Sequence, residues 1–399
     1  MPEVCLQSAP CPADAAVPRW SLRGRSLLPI VQGGMGVGVS AHRLAGAVAR
    51  LGAVGTISSV DLRRHHPDLM AATGKSRDRA AIRQANLTAL DREVRAALGI
   101  AQGRGLVAVN VMRAVSQYAD YVRQACDSGA QAIVAGAGLP LDLPELAAAW
   151  PDVALIPILS DSRGVAIVLK KWLRKNRLPD AIVIEHPRHA GGHLGAAKPE
   201  ALDDPKFEFA RVLEEVFGLF RELSIDPGRI PLIAAGGIAS ADEARALFDL
   251  GAAAVQLGTA FAVTEEGDAH PEFKRVLAEA RPEDIVVFMS VAGLPARAVR
   301  TEWLERYLER LPRLQAHAAK KKECTLAWDC LEVCGLRDGK RELGQFCIDQ
   351  RLAFALAGDV RRGLFFRGAG PLPFGAAIRP VRELIELVLG TAVAEPAPA

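Results

Sequence analysis

Short apolar runs rich in β-branched residues recur along the chain, and helical patterns follow most of them. Runs this continuously apolar are typical of parallel strands that helices cover on both faces. Most of these runs start one strand–helix unit after the run before, and two of the gaps between runs are about twice as wide. The eight predicted strand regions are 27–35, 53–60, 106–112, 132–138, 154–161, 181–186, 231–237 and 254–261.

Eight strands alternating with helices predict an α/β protein built as a (β/α)8 barrel, with a doubly wound sheet as the alternative. Polar and glycine residues gather at the C-terminal ends of the runs. In a barrel these ends share one rim, whereas a doubly wound sheet would divide them around a switch point. We therefore favour the barrel. The rim residues are Gln32, Ser59, Asn110, Ser160, His186, Gly236 and Gly258.

The wide gaps predict two additions to the barrel: a charged helical insertion at about 61–104 and a histidine-containing loop after the sixth strand. We predict a flexible leader at 1–24, a barrel at 25–280 and a disordered tail at 391–399. Between barrel and tail, 281–390 is predicted to form lid helices and a cysteine-containing extension packed on the barrel.

Composition narrows the function class. The chain has 399 residues, half of them hydrophobic, and a formal net charge of +3, which gives no reason to expect a nucleic-acid partner. No apolar run reaches the roughly 18 residues of a membrane span. The N-terminus lacks the basic and apolar regions of a signal peptide, so we predict a cytoplasmic protein. The oligomeric state is left open.

The segment 231–261 carries the pattern of a phosphate site. One strand ends in Gly236-Gly237, Ser240 is placed to cap the next helix, and the following strand ends in Gly258-Thr259. Glycine lets backbone amides approach a phosphate, and loops after the last two barrel strands are the recurring phosphate position. The alternative is a pair of tight turns with no ligand.

A second glycine-rich loop, "GGMGVG", follows the first strand. It is not read as a dinucleotide fingerprint, because no acidic residue ends the second strand. We expect Ser40 to open the following helix. The backbone of Gly33, Gly34 and Met35 is suited to lie along a flat ring system.

Three motifs in this order, "PIVQGGMGVGVS", "HAGGHLG" and "PLIAAGGIASADEARALFDLGAAAVQLGTAF", carry a family resemblance. Over roughly 25–300 the chain resembles the nitronate monooxygenases, formerly 2-nitropropane dioxygenases. These are FMN-dependent barrel flavoproteins related to flavin-dependent enoyl-ACP reductases and to some quinone reductases.

The resemblance implies that FMN binds at the mouth of the barrel. Its phosphate would lie at Gly236, Gly237, Gly258 and Thr259. The residues implied near the flavin ring are Gln32, Gly33, Gly34, Met35, Asn110, Gly191 and Gly192.

The histidine of the family's AGGH motif corresponds to His193, which the resemblance implies as base or substrate-orienting group. Imidazole titrates near neutrality, so it suits either role. The loop's other histidines, His186 and His189, match no position that we transfer. The implied reaction oxidises an alkyl nitronate with O2 to a carbonyl compound and nitrite.

Other functions stay open at this point. They are an NAD(P)H-dependent enoyl or quinone reductase, a non-catalytic flavin-binding accessory subunit, and a barrel that binds a sugar phosphate without flavin. In all the enzymatic cases the partners are a small-molecule substrate with O2 or NAD(P)H.

Four cysteines near the C-terminus, Cys324, Cys330, Cys334 and Cys347, have the spacing C-x5-C-x3-C-x12-C. Their last two intervals resemble the cluster motif of iron–sulfur flavoenzymes such as enoate reductases, whose first interval is shorter. An iron–sulfur cluster, a zinc ion and reduced structural thiols all remain possible.

Three further features have less specific interpretations. Cys126 is predicted in the core. Arg297 and Arg300 are candidates for contact with an anion, although a solvated surface is the favoured interpretation. The stretch "GLFFRGAG" (363–370) is expected to pack on the barrel, with the site as its alternative.

Overall fold

The structure is a computed structural model and describes residues 19–393. Residues 1–18 of the predicted leader, which include Cys5 and Cys11, and the predicted tail from residue 394 onward lie outside the described residues. In chain order the strands are β1 (Trp20–Leu22), β2 (Arg25–Leu27), β3 (Ile30–Gln32), β4 (Val54–Ser58), β5 (Leu106–Met112), β6 (Ala132–Gly136), β7 (Ala154–Leu159), β8 (Ile182–Glu185), β9 (Gly192–His193), β10 (Leu232–Ala235), β11 (Ala254–Leu257), β12 (Ile285–Met289) and β13 (Pro295–Val299).

Five short 3-10 helices are described in residues 19–393. They lie at Leu62–His65, Pro199–Ala201, Pro205–Phe207, Pro227–Arg229 and Pro282–Asp284. The α-helices are α1 (His42–Arg50), α2 (Pro67–Thr73), α3 (Arg79–Ala101), α4 (Tyr118–Asp127), α5 (Leu143–Leu146), α6 (Ser162–Leu173), α7 (Phe209–Glu222), α8 (Ala241–Asp249), α9 (Thr259–Ala262), α10 (Pro271–Glu279), α11 (Glu302–Ala316), α12 (Gly335–Asp338), α13 (Ile348–Leu356) and α14 (Val381–Leu389).

Eight parallel strands close a barrel in the order β10-β11-β3-β4-β5-β6-β7-β8. Each of the eight predicted regions contains one of these strands, so the predicted barrel is confirmed and the doubly wound alternative is wrong. Side chains alternate between two cores, as a strand's period of two requires. On β5, for example, Leu106 and Ala108 face the barrel interior, while Val107 and Val109 pack under the outer helices.

The N-terminal hairpin β1–β2 fills the N-terminal end of the barrel. Trp20, Leu22 and Leu27 belong to the same buried cluster as the interior side chains of the strands. The Trp20 indole N–H also donates to the carbonyl of Leu28 at 2.9 Å. The predicted flexible leader therefore differs from the structure over 20–24, because these apolar side chains cover the barrel floor.

The eighth outer helix of the barrel comes from the far end of the chain. Helix α14 packs on α8 and α1, which are the helices that follow the seventh and first barrel strands. Its apolar face, with Val381, Leu384 and Ile385 buried, covers the gap that the short α9 leaves. The predicted barrel boundary at residue 280 therefore differs from the structure: 263–380 are inserted between the eighth strand and its helix.

The predicted helical insertion at 61–104 is also shorter in the structure. Helix α3 contacts both α1 and α4 and so occupies the position of the second barrel helix. Only the 3-10 turn at Leu62–His65 and α2 are additional.

Strands replace part of the predicted lid helices. Strands β12 and β13 form an antiparallel hairpin, and β13 also pairs with β9 in the histidine loop, Ala296 opposite His193. This three-stranded sheet holds the histidine loop against the C-terminal segment. Within residues 19–393, no helix is long and apolar enough to cross a membrane.

Candidate active site at the mouth of the barrel

A cavity of about 540 Å³ lies at the C-terminal ends of the barrel strands. This volume is ordinary for a cofactor or small-ligand site. Most residues predicted for the site line it together: Gly33, Gly34, Met35, Asn110, Gly191, Gly192, His193, Gly236, Gly237, Gly258 and Thr259.

One end of the cavity is a loop of glycine backbone after β10. Gly236 and Gly237 have φ values of +107° and +78°, which favour glycine, and a Cβ on Gly237 would lie 2.8 Å from the ring of His189. In the described residues, no protein group accepts a hydrogen bond from the amides of Gly237 and Ile238. Ser240 caps α8 as predicted, its hydroxyl accepting from the Glu243 amide. This end is therefore a cradle of unpaired N–H groups beside a capped helix.

A C-terminal loop, for which packing was the favoured expectation and the site the alternative, completes the cradle. The amide of Gly368 donates to the Thr259 hydroxyl at 3.0 Å, and Phe366, Gly368 and Gly370 line the cavity. Arg367 between them is buried and donates to the carbonyls of Leu277 and Gly368, so it braces the loop rather than facing a ligand. The glycines of "GLFFRGAG" were the only sequence signal for this role.

The loop after β3 forms a side wall of the cavity. Gly34 lies against Asn110, and a Cβ on Gly34 would come within 2.3 Å of the Asn110 Cβ. The Asn110 amide donates to the carbonyl of Val134 at 3.2 Å, which fixes its side chain at the end of β5. Gln256, at the end of β11, also lines this wall, although its sequence position gave no functional signal.

Gln32 departs from its predicted position beside the flavin. Its side chain is fully buried below the cavity and is not among the cavity-lining residues. The side-chain oxygen accepts from the Thr56 amide at 2.8 Å, and the nitrogen donates to the Thr56 carbonyl. Gln32 therefore joins strands β3 and β4, because its amide satisfies backbone groups within the barrel.

The expected helix cap at Ser40 is wrong. The Ser40 hydroxyl accepts from the Met35 amide at 2.9 Å and so closes the glycine loop. The amide of Ala41, the residue before α1, and that of Leu44 in its first turn donate instead to the carboxylate of Asp268. A carboxylate from a distant loop thus satisfies the helix N-terminus, which no local sequence pattern could reveal.

His193 lies in another part of the cavity wall. Its Nε2 is 2.9 Å from the Ser290 hydroxyl, and its ring packs edge-on against Phe366 with centroids 5.6 Å apart. Burial lowers the pKa of His193 to about 4. The imidazole is therefore neutral at pH 7, and no described residue is hydrogen-bonded to its Nδ1.

The other two loop histidines have different surroundings. His186 is buried outside the cavity, and its Nδ1 accepts from the Arg188 amide at 3.2 Å. Burial and the neighbouring His189 lower the pKa of His186 to about 4. His189 does line the cavity, beneath Gly237.

Arg297 is buried, so the favoured expectation of a solvated side chain is wrong for it. Its guanidinium donates to the carbonyls of Pro187 and Ala190. Arg297 therefore fixes the histidine loop from β13 and contacts backbone, not an anion.

Glu185 is a cavity-lining carboxyl that the sequence did not single out. It ends β8, and no ion-pair or hydrogen-bond partner for its carboxyl is present in the described part of the chain. Burial raises its pKa to about 7. At neutral pH the site thus contains a carboxyl that is partly protonated.

Of the four C-terminal cysteines, Cys330 lines the cavity and the other three do not. All four are free thiols, as is Cys126, which is buried on α4 as predicted. Among residues 19–393, no three His, Cys, Asp or Glu side chains are placed so that they could hold a metal ion.

Comparison with known families decides what this barrel is. The family model for nitronate monooxygenase matches residues 25–390, which is nearly all of the described chain. The chain belongs to the nitronate monooxygenase family. It is therefore a member of a family of oxidoreductases, and the resemblance seen in the three motifs is confirmed.

Individual relatives are distant. A probable nitronate monooxygenase of Bacillus subtilis is 28% identical over 287 residues, which cover 69% of this chain and 78% of that protein. A nitronate monooxygenase of Pseudomonas aeruginosa is 33% identical over 120 residues, covering 30% of this chain and only 31% of the relative. The chain thus spans less than two thirds of the length of some curated relatives it matches.

Solved structures agree on the fold. FabK from Thermotoga maritima aligns with a TM-score of 0.59 at 24% identity, covering 91% of both chains. A nitroalkane oxidase from Streptomyces ansochromogenes aligns with a TM-score of 0.58 at 21% identity, covering 91% of this chain and 94% of the other. At these identities the likeness establishes the shared barrel alone.

Proposed function

We propose that this chain is an FMN-dependent enzyme that oxidises alkyl nitronates with O2 to a carbonyl compound and nitrite. The observation that carries the proposal is the pairing, in one cavity, of the glycine cradle around Gly237 with the neutral imidazole of His193. A small-molecule substrate would bind between them.

The cavity fits FMN by the chemistry of its two ends. The unpaired amides of Gly237 and Ile238 are donors for a phosphate, and the backbone of Gly34 offers a flat wall for a ring. Thr259 would support the phosphate from the next loop. When bound, FMN supplies the electron transfer between the nitronate and O2, which no protein side chain here can perform.

His193 would position the substrate as a hydrogen-bond donor. The Ser290 hydroxyl oxygen accepts from the Ala292 amide at 3.1 Å, so its proton is free to be donated to His193 Nε2. That arrangement places the imidazole proton on Nδ1. A neutral Nδ1–H can bind the negatively charged oxygen of a nitronate without removing a proton. The geometry therefore favours the anionic nitronate over the neutral nitroalkane as substrate.

Apolar side chains would receive the alkyl group and exclude water. Phe366, Leu331 and Ile348 line the cavity and belong to one apolar cluster, in which Phe366 contacts the His193 ring. Their surfaces suit a small alkyl chain, and exclusion of water strengthens the hydrogen bond from His193.

The test is the absorption spectrum of protein purified without air, followed after addition of the nitronate of 2-nitropropane and, separately, of NADPH. We expect nitronate alone to bleach the flavin bands, and admission of O2 to restore them with release of nitrite and acetone. Bleaching by NADPH alone would place the enzyme among the enoyl or quinone reductases. A colourless protein that releases no flavin on denaturation would refute the proposal.

His193→Ala should keep the flavin and lower turnover of nitronate by about 10²-fold, within the range for loss of one hydrogen-bond donor to a negatively charged oxygen. The matched control is His317→Ala, whose imidazole is exposed and lies 2.8 Å from the carbonyl of Arg313. Equal loss in both variants would count against a role for His193.

A further inference from the structure

Three polar side chains near the ends of barrel strands point into the barrel; we name Asn110, Glu185 and Gln256 the polar floor. Side chains two residues apart on a strand share a face of the sheet. The residues two positions earlier pack in the barrel interior: Ala108, Val183 and Ala254. The polar floor is therefore an interior layer at the C-terminal end of the barrel, and all three of its side chains line the cavity.

The polar floor has unused hydrogen-bonding groups. The Asn110 side-chain nitrogen donates to the carbonyl of Val134, but no described residue bonds to its oxygen. The Gln256 amide and the Glu185 carboxyl have no hydrogen-bond partner in the described part of the chain. These atoms are open to the cavity instead of being sealed in the core. Because such groups are normally paired, the polar floor is suited to contact a polar ligand.

Glu185 differs from the other two residues because it can become charged. Its register partner on β10 is Ala235, and Ile158 of β7 lies beside Val183, the preceding interior residue of its own strand. These apolar neighbours provide no compensating charge, and burial raises the pKa of Glu185 to about 7. The charge of the polar floor therefore changes near neutral pH.

The cavity wall offers no positive side chain to balance an anion. In the described part of the chain, no lysine or arginine side chain lines the cavity. The other two carboxylates in the wall have partners, since Asp161 accepts from the Gly164 amide at 2.8 Å and Asp349 is paired with Arg64 at 2.8 Å. Glu185 is therefore the carboxyl of the wall that is left without a partner.

The remaining titratable side chains of the wall are uncharged at neutral pH. Burial lowers the pKa of His189, and it lowers that of His193 to about 4. Burial, followed by the charge of Asp349, raises the pKa of the Cys330 thiol. None of these three groups supplies a positive charge at pH 7 or above. When negative charge enters the cavity, uptake of a proton by Glu185 is the change that costs least.

We propose that Glu185 takes up a proton when FMN in this cavity is reduced and releases it when the flavin is reoxidised. This role of Glu185 rests on the proposed FMN site. Electrons supplied by the nitronate add negative charge to the flavin, and a proton from solvent forms an O–H bond with a carboxylate oxygen of Glu185. The proton returns to solvent when O2 removes the electrons. The protonated carboxyl thus does what a nearby cation would do for the electronics of the cofactor.

The pH range of the effect follows from the two charge states of the carboxyl. Below pH 7, Glu185 holds its proton whether the flavin is oxidised or reduced, so reduction adds none there. Above pH 7 the carboxylate is charged beside oxidised flavin, and reduction should restore its proton. Glu185→Gln keeps an uncharged polar side chain at every pH. It should therefore take up one proton fewer per flavin than the wild type above pH 7.

The test is the midpoint potential of the FMN-loaded full chain between pH 6 and 9, titrated without air with dithionite and mediator dyes. Between pH 7.5 and 8.5, the equilibrium constant for two-electron reduction should fall tenfold more per pH unit in the wild type than in Glu185→Gln. That difference is about 30 mV per pH unit. The two proteins should differ least at pH 6. Glu185→Asp keeps a carboxyl and should restore the steeper slope.

A second measurement detects the proton itself. The infrared difference spectrum between reduced and oxidised protein at pH 8 should contain the C=O band of a newly protonated carboxyl, and Glu185→Gln should remove that band. Glu214→Gln is the matched control, because Glu214 is an exposed glutamate on α7. It should keep both the band and the slope. Circular dichroism and flavin content report whether each variant folds and binds FMN.

The outcomes separate this role of Glu185 from the proposed function. Equal slopes in the wild type and Glu185→Gln, or a carboxyl band that persists in Glu185→Gln, would overturn the proposal for Glu185. If nitronate still bleaches the flavin in that case, the proposed function stands. A purified chain without flavin would overturn both.

Discussion

Two parts of the cavity wall are built from different regions of the chain. The glycine cradle is mostly backbone: Gly236, Gly237 and Gly258 follow barrel strands, and Gly368 of the C-terminal segment joins them through Thr259. The part around His193 is made of side chains and includes Ser290 and Phe366, which come from the insertion between β11 and α14. The barrel thus supplies most of the cradle, while the insertion supplies the surroundings of His193.

The largest effect should come from blocking the cradle. Gly237→Val places a branched side chain at φ +78° and against the His189 ring. Backbone strain and collision of about 3 kcal/mol together should weaken FMN binding by at least about 100-fold. The measurement is flavin content after dialysis, with affinity by fluorescence titration.

The control for that variant is Gly103→Val. Gly103 has a similar φ of +73°, but nothing lies within 4 Å of its added Cβ. It shares the backbone strain and lacks the collision. Normal flavin in Gly237→Val, or equal loss in both, would show that the cradle does not hold the cofactor.

A smaller effect on activity is expected from a change beside His193. Ser290→Ala removes the partner of His193 Nε2 and should lower kcat with nitronate about tenfold, since about 1.4 kcal/mol of positioning is lost. Flavin content should stay normal. Because Ser290 contacts His193 and is not part of the glycine cradle, a parallel loss of FMN would mean that these two parts of the cavity wall are not independent.

The pH profile tests the charge of the same imidazole. With its pKa lowered to about 4, His193 stays neutral from pH 5.5 to 8, so kcat with nitronate should show no step near 6.5. A step at 6.5 that disappears in His193→Ala would mean that His193 titrates as an exposed histidine.

The smallest effect concerns Glu185. Its pKa is about 7 in the folded chain and lower when unfolded, so the folded state binds more protons between pH 4.5 and 7. Its burial therefore destabilises the protein increasingly as the pH rises through that window. Glu185→Gln should raise Tm by a few degrees at pH 8 and leave it unchanged at pH 4.5. An equal Tm difference at both values would exclude this cause.

The sequence alone determined the barrel and its glycine cradle. Each barrel strand is a continuous apolar run, and the positive φ values of Gly236 and Gly237 require glycine through local backbone geometry, so both can be recognised without knowing the contacts. His193 could also be recognised from the sequence, because its motif is one continuous stretch of the chain.

Only the tertiary structure decided the rest. Gln32 has the position of a rim residue, but its side-chain amide bonds to the backbone of Thr56. Asp268 caps α1 by accepting from the amide of Arg43, which lies 225 residues earlier in the sequence. Helix α14 completes the barrel after a long insertion, and Ser290 and Phe366 reach His193 through the β12–β13 sheet. Such contacts join segments distant in sequence, and their energy depends on burial and partner geometry that no local pattern contains.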